Sequence, residues 1–236
     1  MLSELRETQR QTHYSTSWQN DIALSSPADA PSLSRTPGLV SPNLITECSE
    51  FYFTSMYPSQ PIISRQQLQQ AIAIMDQDQE AYCLITALCA YTMIKPGMHL
   101  SQNLGFKVED GLSMNANLGN MLLEETVRCR KLYNYVEDPS LNSITISYFL
   151  HGCYFCLDRH NHAWFHLREA TTHAFLVDMN DEASYKLGDP ADLIRKRRMY
   201  WLLFVTERQV SLGFCAHTDT ITDHCTERTR CTNTDL

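Results

Sequence analysis

The chain has 236 residues, 43% of them hydrophobic and 19% charged, with a formal net charge of −8 and a pI near 5.5. That composition supports a sizeable core, in one domain of roughly 170 residues rather than two. The acidic balance excludes a DNA-reading surface of the usual basic kind and argues against an anionic membrane as partner.

Nine cysteines, an odd number, are scattered along the chain, several inside apolar helical runs. Such cysteines act as small hydrophobes, and the pattern implies a reducing compartment without a disulfide framework. The start, MLSELRETQR, lacks the apolar core of a signal peptide. The longest apolar stretch, Ala81 to Ile94, falls short of the ~20 residues needed to span a bilayer. A soluble intracellular protein is expected.

Residues 1–43 are rich in Ser, Thr, Gln and Pro, and they read as a disordered linker. Ser26-Pro27, Thr36-Pro37 and Ser41-Pro42 within it have the form of proline-directed phosphorylation sites, although plain linker composition explains them as well. From residue 44 the period becomes helical. Ile45, Cys48 and Tyr52 lie on one helix that stops at Pro58. A second helix starts at a Ser64 N-cap. A third opens on the acids of DQDQE, runs through Ala81, Leu84, Ile85 and Leu88, and ends at Pro96-Gly97. It is apolar on most sides and so should be buried.

Leu118, Met121, Leu122, Cys129, Leu132, Tyr133 and Val136 form the next stripe, interrupted by Glu125. Asp138-Pro139 and Asp189-Pro190 repeat one device, in which Asp caps a helix and Pro fills its first position. Between them NHAWFHLREATTHAFLV predicts another strong helix. After Leu212 the periodicity ends and Thr dominates, so 213–236 reads as a disordered, atypical tail. No alternating strand pattern occurs. The expected fold is all-α: an irregular bundle of about seven or eight helices packed in pairs over residues 44–212.

The order of motifs resembles the middle homology region of fungal Zn2Cys6 transcription factors. The carriers are Tyr57-Pro58, Pro61-Ile62, Arg65 to Leu68, AYCLITALCAYTMIKPGM, HGCYFCLDRHNHAWFHLREATTHAF, and RKRRMYWLLFVTER with Arg197, Arg198 and Trp201 closed by Glu207-Arg208. It is most similar to sugar-responsive regulators of amylase, maltose and xylanase genes. The family's six-cysteine zinc cluster is absent, since the only C-x2-C is Cys153–Cys156, and no Arg-Pro follows Leu212. A truncated part of a larger helical domain is therefore expected, with Trp164, Trp201, Glu207 and Arg208 as the family's signature core. Trp201, inside the unbroken apolar run Met199–Val205, is expected in the interior.

Two clusters invite sharper readings. Cys153, Cys156, His160, His162 and His166 are close in sequence, but the histidines fall beyond a turn, and packing in the core explains the cysteines better than zinc. His162, His166, Glu169 and His173 share one stripe, opposite an arc of Ala163, Trp164, Leu167, Ala170, Ala174 and Phe175; that places the histidines on the solvent face rather than on a metal. Arg195, Lys196, Arg197 and Arg198 form a candidate basic patch, either a nuclear-import signal or the charged first turn of a core helix. No phosphate loop, Gly-x-Ser-x-Gly or His-Glu-x-x-His occurs.

The resemblance implies a non-enzymatic regulatory domain in the nucleus. It would have no cofactor and no direct DNA binding of its own. Its partners would be proteins of the transcription machinery, a homodimer partner, or a small-molecule inducer. The alternatives are a stand-alone module that inhibits a full-length relative and a helical metal-binding enzyme using the histidine stripe.

Overall fold

The computed structural model describes the backbone of residues 35–98, 111–186 and 188–230, and the side chains of 35–98, 115–186 and 188–210. Residues 1–34 of the expected linker, residues 99–110, and residues 231–236 of the expected tail lie outside the described residues.

α1 (Pro42–Phe51) begins where Ser41 Oγ accepts the Leu44 N–H at 3.2 Å and Pro42 fills the first turn. It runs into a π turn (Tyr52–Met56), in which the Tyr57 N–H reaches back to the Tyr52 carbonyl at 2.8 Å. α2 (Arg65–Ile74) starts in a reciprocal box between Ser64 and Gln67. α3 (Gln79–Ile94) is capped by Asp78, whose Oδ1 accepts the Glu80 and Ala81 N–H groups. α4 covers Gly111–Arg130, α5 Leu141–Cys156 and α6 His160–Leu176. A 3-10 turn (Glu182–Tyr185) leads to α7 (Pro190–Arg230), where Asp189 Oδ2 accepts the Ala191 and Asp192 N–H groups. No strand occurs among the described residues.

Two helices have no polar face. α3 is buried at every position from Ala81 to Met93, and α5 from Ser143 to Tyr154. Such helices must be enclosed on all sides. α3 is flanked by α4 and α5 and covered by α1 and α2; α5 lies between α3 and α6; α7 closes the far side against α6 and α5. Helices packed in pairs, as the sequence implied, follow from the need to cover these two.

An aromatic ladder joins the layers. The Tyr91 and Phe149 rings stack at 5.3 Å, and Tyr52 meets Phe149 edge-on at 6.2 Å. Tyr91 donates its hydroxyl to Gln60 Oε1 at 3.1 Å, and Tyr52 donates to the Gln60 carbonyl at 2.7 Å. The π turn thus places Tyr52 fully inside, under the loop that precedes α2.

Several sequence expectations shift. α5 is capped by Ser140 with Ser143, two residues later than the expected Asp138 cap, because the serine pair supplies a reciprocal box. α4 ends at Arg130; of the expected stripe, Leu132 and Tyr133 pack against the core from the segment that follows, whereas Met121 and Val136 are exposed. Residues 35–43 do not behave as linker: Arg35 Nε donates to Gln79 Oε1 at 3.0 Å, and Thr36 bonds Glu125. The backbone of α7 continues past Leu212 to Arg230.

Gly152 marks the closest helix approach. A Cβ there would sit 2.2 Å from Tyr91 Cε2. Tyr91 is 2% exposed and fixed by its stack, so it cannot withdraw. Alanine normally gains about 1 kcal/mol over glycine inside a helix; here overpacking outweighs that gain. Gly152→Ala should lower stability by about 1–3 kcal/mol in a urea titration.

Candidate functional site

The described surface and interior offer three constellations: a buried ion pair, a buried arginine, and an open groove along α7.

The ion pair joins three helices. Glu169 Oε2 on α6 accepts Arg130 Nη1 from α4 at 2.9 Å and Ser147 Oγ from α5 at 2.9 Å, and His166 Nδ1 lies 3.1 Å away. Glu169 Oε1 accepts the Tyr135 hydroxyl at 3.2 Å, and the Arg130 guanidinium stacks 3.9 Å from the Tyr135 ring centroid. Burial alone would push the Glu169 carboxyl up, but His166, the Arg130 charge and the Ser147 bond outweigh it and hold it at about 2.

This corrects the solvent-face reading of the histidine stripe. His166 and His173 are buried, Glu169 is largely enclosed, and only His162 is exposed. His162 and His166 both stack on Tyr154, at 5.0 and 5.4 Å. The expected apolar arc is right for Ala163, Leu167, Ala170 and Ala174, whereas Trp164 is half-buried and Phe175 exposed. A carboxylate with four hydrogen-bonding partners can be enclosed without leaving an unpaired buried charge. Among the described residues no group of three or more His, Cys, Asp or Glu side chains is placed to hold a metal. Cys153 is fully buried, and Cys156, the last residue of α5, is partly so.

The candidate basic patch is dispersed by the helix that carries it. Successive residues turn by about 100°, so four consecutive cations meet four surroundings. Arg195 is buried. It donates to the Ile62 carbonyl at 2.9 Å, to Asn142 Oδ1 at 2.9 Å and to Thr145 Oγ1 at 3.0 Å, and burial pulls it down to about 10. Lys196 donates to Ser184 Oγ at 2.9 Å. Arg197 pairs with Glu182 at 2.7 Å and stacks on Tyr185. Arg198 donates to the Tyr57 hydroxyl at 3.2 Å.

The signature residues divide. Arg168 stacks 4.6 Å from the Trp164 ring centroid and pairs with Glu207, bridging α6 to α7. Arg208 lies over Phe204. Trp201 is 55% exposed and does not belong to the core as the sequence reading had it. Within Met199–Val205 only Met199 and Leu203, four residues apart, are buried. Tyr200 and Leu202 pack partly against the core, and Trp201, Phe204 and Val205 face outward, because the packed side of α7 cannot take the whole run.

Trp201 lines an open groove of about 640 Å³ with Pro61, Leu193, Ile194, Leu202 and Val205. Ser59, Tyr185, Arg197 and Arg198 complete its lining. Sequence reasoning missed this site, although a seven-residue apolar run on one helix signals it: no single packed face can absorb it.

The pattern that defines the fungal specific transcription factor domain matches residues 50–228. The chain belongs to that family. A Candida albicans protein named "Probable sucrose utilization protein SUC1" is 31% identical over 161 residues, which are 68% of this chain and 30% of that protein. The chain therefore spans about 30% of the length of this relative. No solved structure matches. In this transcription factor domain the match extends beyond Leu212, where the helical period weakens, in keeping with the helical backbone there.

The buried carboxylate has a pH consequence. The Glu169 carboxyl sits below its ordinary 4.5, so it stabilises the fold above that pH, and the contribution is lost as pH falls towards about 2. The loss should amount to roughly 3 kcal/mol. Glu169→Gln should be less stable at neutral pH, with Arg130 left unpaired, and should lack this part of the acid slope when urea midpoints are compared between pH 5 and pH 2.

Proposed function

We propose that this chain is a non-enzymatic regulatory domain that controls transcription from the nucleus in response to a sugar-related signal, and that it docks a protein partner through the α7 groove. Membership of the fungal transcription factor domain family supports the regulatory role. The name of the Candida relative supports a carbon-source signal. No helix among the described residues is long and apolar enough to cross a membrane.

The observation that carries the docking reading is the exposure of Trp201, Ile194 and Val205, at 55%, 52% and 46%, along one groove of α7. Half-exposed aromatics grouped with aliphatics mark partner surfaces. The groove's polar groups are few, and Arg197 is already paired with Glu182. A free sugar needs many hydrogen-bonding groups around it, whereas this floor is apolar. An apolar protein segment bearing a carboxylate opposite Arg198 fits better, and such charge complementarity steers association. Binding would act by favouring one packed arrangement of the helices over another.

The test is a reporter assay in a fungal host, with the chain fused to an unrelated DNA-binding domain. Carbon-source-dependent output is expected. Trp201→Ala should weaken partner binding by about 30-fold, as loss of an interfacial Trp worth ~2 kcal/mol does. It should also abolish the response while changing stability by no more than about 0.5 kcal/mol. Unchanged regulation in folded Trp201→Ala would overturn the groove assignment.

A further inference from the structure

Residues 35–40 form a strap by which the chain joins the helical domain. Arg35 lies over the Tyr82 ring at 4.5 Å, donates to Gln79 Oε1 at 3.0 Å and also donates to the Met75 carbonyl. Thr36 makes the other attachment, to Glu125 on α4. Its N–H donates to Glu125 Oε1 at 2.9 Å and its hydroxyl to Glu125 Oε2 at 2.8 Å. Glu125 is the residue that breaks the α4 stripe, and it is buried, with its side chain only 4% exposed. Tyr82 donates to Oε1 at 3.0 Å, the Cys129 thiol lies 3.4 Å from the same oxygen, and Arg128 pairs with Oε2 at 2.7 Å.

Thr36 itself is exposed, as are Pro37 and Gly38. Gly38 has φ 74°, and Thr36 to Leu39 form a turn. Such a turn needs φ > 0 at its third position, and glycine supplies it. The strap therefore combines an accessible Thr-Pro with a hydroxyl whose only described acceptor is an enclosed carboxylate.

We propose that Thr36 is a phosphorylation site and that its modification releases the strap from α3 and α4. The co-reactants are ATP and a proline-directed protein kinase. The Thr36 Oγ1–P bond forms as the bond from the γ-phosphorus to the β–γ bridging oxygen breaks; ADP leaves, and the hydroxyl proton passes to the base of the kinase. The kinase captures strap molecules that have opened transiently, because surface segments with few buried contacts open at low free-energy cost.

Re-docking is then opposed twice. Oγ1 no longer carries a proton to donate to Glu125 Oε2. In its place stands a phosphate of charge about −1.5 to −2 beside a carboxylate. With the strap docked, burial pushes the Glu125 carboxyl up, but the Thr36, Arg128 and Cys129 bonds outweigh this and hold it at about 2; the Arg128, Tyr82 and Cys129 partners remain beside it once Thr36 has left. The nearby cations are Arg128, with Nη2 3.5 Å from Thr36 Oγ1, and Arg35. They do not offset the combined charge, since Arg128 is already committed to Glu125 and a docked Arg35 is held by Gln79, the Met75 carbonyl and the Tyr82 ring.

The experiment treats the 236-residue chain with a proline-directed kinase and ATP, maps phosphate by peptide mass spectrometry, and follows amide exchange. Phosphate on Thr36 is expected. The Thr36 amide, now held by Glu125, should exchange about tenfold faster or more. Thr36→Val keeps the backbone donor but cannot accept phosphate, so it should show no kinase-dependent change in the strap; this separates Thr36 from Ser26 and Ser41. In Glu125→Gln, where the repulsion is removed, phosphorylation should accelerate exchange less than in the parent chain. The proposal is overturned if Thr36 stays unmodified while a Thr-Pro control peptide is phosphorylated. It is equally overturned if the phosphorylated strap exchanges at the same rate or more slowly, which would mean that Arg128 holds the phosphate in place.

Discussion

Glu169 Oε2 collects donors from three helices: Arg130 on α4, Ser147 on α5 and His166 on α6. The arrangement depends on this carboxylate. α6 carries two apolar sets, Ala163, Leu167, Ala170 and Ala174 on one side and Phe165, Phe175 and Leu176 on another. Hydrophobicity alone does not choose between them. The second set has fewer but bulkier side chains, yet it is the exposed one. Burying the Arg130 guanidinium without a partner is strongly unfavourable, so the face bearing Glu169 must turn inward, and His166 and His173 go with it.

The same logic recurs at the other junctions. α3 and α5 offer almost nothing but apolar surface, so they do not specify the rotation or height of what packs on them. That information comes from a few enclosed polar groups. Arg195 fixes α7 against the loop at Ile62 and the start of α5 through three neutral oxygens. Glu125 fixes the strap against α3 and α4. Once Arg195 has set the rotation of α7, Met199 and Leu203 face the core, and Trp201 and Val205 face the groove. The surface proposed for partner docking is therefore a consequence of an internal tether. The strap at Arg35 and Thr36 is held by another tether of the same kind.

The helices and most of their caps were legible from local pattern, because capping and periodicity depend on a few neighbouring residues. Ser64 and Asp189 act as N-cap acceptors where caps were expected, and Asp78, one of the acids expected to open the third helix, caps it. The enclosure of α3 was equally plain from its composition. The orientation of α6 was not, because it is decided by Arg130, 39 residues away in sequence from Glu169. The basic run left two readings open for a related reason. Four adjacent cations suggest one patch, but a helix distributes them, and the acceptors that draw Arg195 inside come from Ile62, Asn142 and Thr145. Trp201 was assigned to the core from the run around it, whereas one-sided packing of α7 leaves it half-exposed. The interruption at Glu125 was visible, and its meaning required seeing Thr36 beside it.

A double-mutant cycle on Arg130 and Glu169 tests most directly whether the buried pair orients α6. Arg130→Met, Glu169→Gln and the double variant would be compared with the parent chain by urea unfolding at pH 7. Each single change should cost about 3–5 kcal/mol by leaving the other partner buried and unsatisfied. The double variant should recover part of that loss, giving a coupling of at least about 2 kcal/mol. Additive losses, with coupling near zero, would contradict the account and leave apolar packing alone to set the face of α6.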